Sequence, residues 1–202
     1  MLKVFTTTSD RSKCSQLERS LKHFNYDYHI VEHEWKGFLD KIHQAYKYLK
    51  GLEGYSHFLY TDAWDTFALG KIETVPDGLT LSAERACYPH PEKEVLYPKH
   101  ESPWHFVNGG GWCGEIKSFI EMYEACPPKD ELNDQVYLTD RFLAGGIKLD
   151  YNCEIFQTIA FCPESDFIFG FGYYVFNTVT KKSPVFIHGN GHTPMQHIYD
   201  LL

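Results

Sequence analysis

The sequence predicts an α/β fold: a mixed central β-sheet flanked by helices, in a single domain covering residues 1–202. Two observations predict it. Segments with strand character alternate with segments of helical period through the first half of the chain, the pattern of a parallel sheet covered by helices. The chain is also of a size to bury one continuous core, with no internal repeat, low-complexity tract or Pro/Gly/Ser linker to divide it.

The elements follow in order. Residues 2–7, Leu-Lys-Val-Phe-Thr-Thr, read as a strand, and Cys14, Leu17, Leu21 and Phe24 then recur at helical spacing. Residues 28–31 read as a second strand. Ile42, Ala45, Tyr46 and Leu49 mark one buried helical face, which Gly51 and Gly54 end. Residues 57–61, His-Phe-Leu-Tyr-Thr, form a third strand and residues 79–83 a fourth. Residues 116–125 read as a helix stopped by Cys126-Pro127-Pro128, and residues 133–144 as another. The last fifty residues read as short strands and loops, closing on a strand at 185–188. Ligands of such sheets sit at the carboxyl ends of the strands.

Composition narrows the function classes. Aromatic residues make up 16%, enough for a core of Phe and Tyr with rings to spare for stacking on a sugar or a base. The net charge of −8 weighs against a general electrostatic grip on nucleic acid, although Lys47, Lys50, Lys181 and Lys182 leave room for a local basic groove. The six cysteines, Cys14, Cys87, Cys113, Cys126, Cys153 and Cys162, form no CxxC pair, which excludes the usual structural zinc patterns. Met1 to Phe5 lead straight into Thr6 with no long apolar stretch, and no apolar run reaches the roughly 18 residues of a membrane span. The expected setting is cytoplasmic, with reduced thiols and no membrane partner.

The chemistry concentrates just past the third strand, in Asp62-Ala63-Trp64-Asp65. If the chain turns after Asp62, both carboxylates converge on one hard divalent cation, Mn2+ or Mg2+; otherwise they are solvated turn residues. An aspartyl-phosphate enzyme would have Asp-x-Asp here, and the Asp-x-x-Asp spacing puts its two acids out of register.

Five further motifs follow in order: Ser82-Ala83-Glu84-Arg85-Ala86-Cys87-Tyr88-Pro89; Phe106-Val107-Asn108-Gly109-Gly110-Gly111-Trp112-Cys113-Gly114; Asn133-Asp134-Gln135; Leu149-Asp150-Tyr151 with Ile155-Phe156-Gln157; and Ile187-His188-Gly189-Asn190-Gly191. The succession, running from Lys3 to His197, closely resembles the glycosyltransferase domain of the procollagen lysyl hydroxylase family. That resemblance implies a GT-A-type, Rossmann-like fold and a metal-dependent transferase using a UDP-sugar. The hydroxylase part of the family has no counterpart in these residues.

Position by position, the resemblance makes Asp62 and Asp65 metal-binding carboxylates and His188 the third ligand. It puts Trp64 beside the nucleotide, Thr6, Thr7 and Thr8 where the nucleotide is contacted, and Gly189, Asn190 and Gly191 against the diphosphate. The family's phosphate-neutralising lysine is replaced by Pro194, with His192 or Lys41 as substitutes. Trp35 falls in a loop that closes over the sugar; Tyr88 replaces a family Trp and Asn133 a family Asp. With Gln135, these residues make up the expected acceptor and sugar pocket. Glu84 and Asp134 are the acids expected to contact the sugar or the acceptor hydroxyl. Asn108 and Gly109–Gly111 are expected to form a tight loop lining the sugar pocket. Taken singly, each of these residues has an ordinary structural explanation; their order along the chain carries the reading.

The implied reaction moves a hexose, glucose in the family, from a UDP-sugar to an acceptor hydroxyl with retention. Expected acceptors are a hydroxylysine-like side chain, a glycan or a hydroxymethylated DNA base. The alternatives are a nucleotide-sugar hydrolase or sensor with the same donor site, and an inactive scaffold.

Overall fold

The computed structural model describes residues 1–129, 133–191 and 193–200. Its centre is a six-stranded mixed sheet. Strand β1 (Leu2–Thr8) pairs parallel with β2 (Tyr28–Glu32) on one side and with β3 (His57–Thr61) on the other. Beyond β3 the sheet continues antiparallel into β6 (Phe106–Glu115), then β5 (Leu79–Glu84), and ends with β7 (Ile147–Leu149) parallel to β5. The strand order β2-β1-β3-β6-β5-β7 is the mixed sheet that the alternating pattern predicts, with a parallel half built from the first three strands.

A second, three-stranded sheet places β11 (Phe186–His188) between β4 (Thr66–Ala68) and β8 (Phe156–Thr158). A hairpin of β9 (Phe167–Gly170) and β10 (Tyr174–Asn177) stands apart from both. The three-residue strands β4, β7 and β8 are too short for a period to show, so a strand reading from pattern passes over them.

Helices follow their buried stripes. Helix α1 (Ser15–His23) buries Leu17, Ser20 and Leu21, and α2 (Asp40–Lys50) buries Ile42, Ala45 and Leu49. Helix α3 (Ile116–Ala125) is anchored by Ile116 and Phe119. In α4 (Asp134–Leu143) every residue from Asp134 to Thr139 is buried, and Asn133 caps its start by accepting from the Gln135 N–H at 2.9 Å. A short α5 (Gln196–Tyr199) closes the chain, with Ile198 in the core. All six cysteines are unpaired, and among the described residues no helix is long and apolar enough to cross a membrane.

Aromatic stacking ties the sheet to the helices behind it. Trp112 stacks on Tyr60 with centroids 4.3 Å apart and on Phe119 at 4.9 Å, while Phe5 meets Trp112 edge-on. Pairs of this kind contribute about 0.5–1.5 kcal/mol each beyond their burial. Tyr60 thereby has its ring in the core and its hydroxyl at the sheet's carboxyl edge.

The glycine run departs from expectation. Gly109–Gly111 lie within strand β6 and do not form a loop. The pairing of β5 with β6 jumps from Leu81↔Trp112 to Ser82↔Asn108, so the three glycines are extra residues on one strand, a bulge. Side chains crowd them: a Cβ on Gly109 would lie 2.7 Å from Asp134 Oδ2, and one on Gly111 2.6 Å from Phe156 Cδ1. Glycine is needed there for close approach, not to turn the chain. Gly114 is more demanding still, with φ +148° and a Cβ position 1.9 Å from the Gly78 carbonyl oxygen. Gly114→Ala is expected to lower unfolding stability by about 3 kcal/mol or more, read from denaturant midpoints.

Candidate functional site

Strand endings converge on the site. Past the end of β3, Asp62 donates its backbone N–H to the Gly110 carbonyl at 2.8 Å, and the chain turns through Ala63 and Trp64 to Asp65. Strand β11 lies antiparallel to β4 with His188 opposite Thr66, and the Gly189 N–H donates to the Asp65 carbonyl at 2.8 Å. That register sets His188 beside the two acids. One ligand atom each of Asp62, Asp65 and His188 lies within 4.8 Å of the others. His188 Nε2 is 3.7 Å from Asp62 Oδ2 and 3.4 Å from Asp65 Oδ1.

The neighbours orient these groups. Asp62 Oδ1 accepts from the Tyr60 hydroxyl and from Lys41 Nζ, each at 3.1 Å, leaving Oδ2 turned toward His188. The Tyr60 hydroxyl also meets Thr7 Oγ1 at 3.2 Å. His188 Nδ1 lies 3.2 Å from Asn108 Oδ1. A Cβ on Gly110 would sit 2.1 Å from His188 Cε1 and 2.8 Å from Asp62 Oδ2, so the strand leaves the space that the imidazole fills.

The charges of the triad depend on one another. Burial works against a charged His188, yet Asp65 and Asp62 hold its pKa above the ordinary histidine value. Burial likewise works against an ionised Asp65, but His188 brings it below the ordinary carboxylate value. Two carboxylates and an imidazole are a donor set suited to Mn2+ and compatible with Mg2+, so the residues fit the metal that the sequence implies.

A cleft of about 470 Å3 opens over this triad, within the range of small-ligand sites. Thr7, Thr8, Lys41, Trp64 and Gly189 are among its lining residues. Trp64 is 44% exposed, with its Nε1 donating to Thr8 Oγ1 at 2.9 Å and the Lys13 ammonium 4.1 Å from its ring centre. Trp35, 53% exposed, also lines the cleft and packs edge-on against Phe38 at 5.2 Å.

The model of the PLOD GT domain family matches residues 1–199. The chain belongs to the PLOD GT domain family. Its mixed sheet flanked by helices is that of a GT-A-like glycosyltransferase domain. Among its relatives is an uncharacterised protein, R699, of Acanthamoeba polyphaga mimivirus, 29% identical over 161 residues, covering 75% of this chain and 35% of that protein. Procollagen-lysine,2-oxoglutarate 5-dioxygenase 1 of Gallus gallus is 27% identical over 227 residues, covering 98% and 31%. The multifunctional procollagen lysine hydroxylase and glycosyltransferase LH3 of Pongo abelii is 25% identical over 228 residues, with the same coverage. The chain thus spans about a third of the length of these relatives.

Within this PLOD GT domain, the residues expected at the site separate into two groups. Thr7, Thr8, Trp35, Asp62, Trp64, Asp65 and Gly189 line the cleft, and His188 stands against the two acids. Thr6 is buried, and its hydroxyl has no hydrogen-bond partner among the described residues. Asn108, Gly109 and Gly110 lie behind the triad on β6, and Asn190 accepts the Ile159 and Ala160 N–H groups at 3.2 and 3.0 Å. Gly191, with φ +63°, uses the left-handed freedom of glycine. Asn133 spends its side-chain oxygen capping α4, and Tyr88 is 63% exposed away from the cleft lining.

The two expected acids are both buried and engaged. Asp134 Oδ2 pairs with Lys41 at 2.5 Å. Burial raises Asp134 despite that lysine, and the carboxylates in turn hold Lys41 well above its ordinary value against the cost of burial, so Lys41 is a fixed cation spanning Asp62 and Asp134. Glu84, 5% exposed, has Oε1 bonded by Gln135 Nε2 at 2.5 Å and Oε2 by Asn190 Nδ2 at 2.6 Å, which places it behind the site and not on its wall. His192, one suggested substitute for the missing lysine, lies outside the described residues. Tyr60, Lys13 and Phe38 join the site without having been singled out. Tyr60 had a readable signal, since it stands in β3 two residues before Asp62, the spacing at which extended chain returns to one face.

Two measurements follow. Burial pushes Glu84 up to about 7 in the folded chain from 4.5, while its amide neighbours pull the other way. The folded state therefore holds a proton that the unfolded state has lost, and stability falls as pH rises from 4.5 to about 7. The fall is on the order of 3 kcal/mol, and Glu84→Gln abolishes this part of the pH dependence in denaturant titrations. Gly110→Ala should displace His188 and weaken Mn2+ binding at least tenfold by calorimetry, the scale of other disturbances around metal ligands.

Proposed function

We propose that residues 1–202 form one glycosyltransferase domain that moves a hexose, by family resemblance glucose, from a UDP-sugar to an acceptor hydroxyl. The observation that carries this reading is the Asp62, Asp65 and His188 triad under an aromatic-walled cleft. In this reading the triad holds Mn2+ or Mg2+, which supplies positive charge against the departing diphosphate.

The chain's own residues do the rest. Trp64 offers a planar face for the base, and Thr7 and Thr8 stand beside it with hydroxyls for hydrogen bonds. Gly189 and Gly191 let backbone approach the diphosphate closely. Lys41 adds the positive charge that Pro194 does not, with its ammonium against Asp62. Trp35 and Phe38 close the mouth over the sugar, and Asp134, buried behind Lys41, holds that lysine in place against Asp62. Transfer with retention needs no carboxylate nucleophile, since the leaving diphosphate can take the acceptor's proton; positioning is then the protein's main contribution.

For the acceptor, a hydroxylysine-like side chain, a glycan and a hydroxymethylated DNA base all present the required hydroxyl. The relatives named for procollagen lysine favour the first, and the net charge of −8 disfavours the last.

The test is UDP release from UDP-sugars with Mn2+, with and without each acceptor class. Release stimulated by an acceptor supports transfer; acceptor-independent release makes the protein a hydrolase, and binding without release a sensor. Asp62→Ala and Asp65→Ala are each expected to reduce turnover at least a thousandfold, to background; substantial Mn2+-dependent transfer by either variant would sink the proposed metal site.

A further inference from the structure

Beside the metal triad stands an aromatic ring that the fold does not use. Phe161 is 77% exposed, and its φ of +58° lies in the left-handed region that favours glycine. An exposed ring alone is ordinary on a protein surface. Of the other non-glycine residues with positive φ, Cys153 and Tyr173 are buried, while Asn25 and Lys181 are polar. Among the described residues Phe161 alone joins this backbone to an exposed apolar side chain, so burial does not offset the strain.

The turn that carries Phe161 is fixed to the site. The Cys162 N–H donates to the Ile159 carbonyl at 3.3 Å, closing a four-residue turn with Phe161 third, where glycine or asparagine is usual when φ is positive. The Ile159 N–H donates to the His188 carbonyl at 3.2 Å, and Asn190 Oδ1 accepts from Ile159 and Ala160. Gly189 and Thr193 line the cleft, and a Cβ on Gly191, between them, would lie 3.5 Å from Ala160 Cβ. The turn thus packs against the cleft wall, and at most about 7 Å of chain separates Phe161 from the residue bonded to His188.

The acids of this segment give the ring a partner of one charge. Residues 159–166 include Glu164 and Asp166 and no Lys or Arg. Arg85 engages Asp166, whereas Glu164 is exposed and has no ion pair among the described residues. An aromatic face near a free carboxylate suits a cation on an apolar stem: the ring attracts the charge and covers the methylenes. A pyranose offers a face without the charge, and a nucleic acid brings phosphates that Glu164 and the net charge of −8 repel.

We infer that Phe161 is a contact residue for the acceptor, and that the acceptor it fits is a lysine-rich polypeptide segment. Its part in transfer rests on the transferase reading given above, whereas binding of the segment does not depend on that reading.

The experiment measures both. The probes are a fluorescent peptide with one hydroxylysine flanked by lysines, the same peptide flanked by glutamates, a neutral disaccharide, and an oligonucleotide carrying hydroxymethylcytosine. Phe161→Gly and Phe161→Asn remove the ring and suit the left-handed backbone, and Phe161→Tyr keeps the ring. Phe171→Ala is the control, since it removes another ring, 84% exposed in the β9–β10 connection. Phe161→Gly is expected to keep thermal stability and Mn2+-dependent UDP binding. Its Kd and KM for the lysine-flanked peptide rise about 3- to 30-fold with kcat little changed, the scale of a cation–ring contact. Phe161→Tyr and Phe171→Ala stay within about twofold of wild type, the change left when the ring contact is kept or was never made. An unchanged Kd in both folded ring-deleted variants overturns the inference, as does an equal loss in Phe171→Ala or a wild type that does not bind the lysine-flanked peptide. Tighter binding of the glutamate-flanked peptide, the disaccharide or the oligonucleotide overturns the assignment of the acceptor. Phe161-dependent binding of the peptide without transfer from any UDP-sugar defeats the transferase reading and leaves the contact in force.

Discussion

The close approach of strand β6 to His188 is the constraint on which the rest of the site depends. The imidazole occupies the volume where a side chain at residue 110 would begin, with 2.1 Å between the Cβ position and Cε1. A strand carrying any other residue there would push His188 away from Asp62 and Asp65. The bulge at Gly109–Gly111 is the same constraint seen from the backbone: three residues leave the β5 ladder and make room for Asp134, His188 and Phe156. A Gly-rich strand loses packing and backbone entropy, and here that loss is accepted for proximity.

Around that contact the protein keeps several charges out of water, and each has a partner. Lys41 spans Asp62 and Asp134, and Glu84 is held by the amides of Gln135 and Asn190. Removing one member of such a set leaves the others buried and unsatisfied, which costs more than the net worth of any single bond. The aromatic core supplies the rigidity underneath: Tyr60 is clamped by Trp112, so its hydroxyl meets Asp62 from a fixed position. Rigid placement of this kind is what a transferase relying on orientation needs.

The triad and its cleft both lie within the residues that the family model matches. The PLOD GT domain model covers almost the whole chain. Two residues expected in the sugar pocket have side chains bonded within the fold: Asn133 caps α4, and Gln135 joins the glycine strand to Glu84. Side chains that bind a ligand and side chains that hold the binders in place come from the same motifs, and residue type alone does not separate them.

By itself the sequence determined the α/β class, the main strands and helices, and the candidate triad. Those features are written locally, in periods of two and 3.6, in caps and stops, and in an ordered set of motifs. The short strands β4, β7 and β8 carried too little pattern to be read, and the glycine run looked like a loop because glycine favours both turns and close contacts. Tertiary structure alone decided that this run is a strand, that Glu84 lies behind the site, and that Lys41 pairs with Asp134. Those outcomes depend on which groups from distant segments share one small volume. The pairing of β4 with β11, which carries His188 to Asp65, is made by backbone hydrogen bonds, and these leave no mark in residue types.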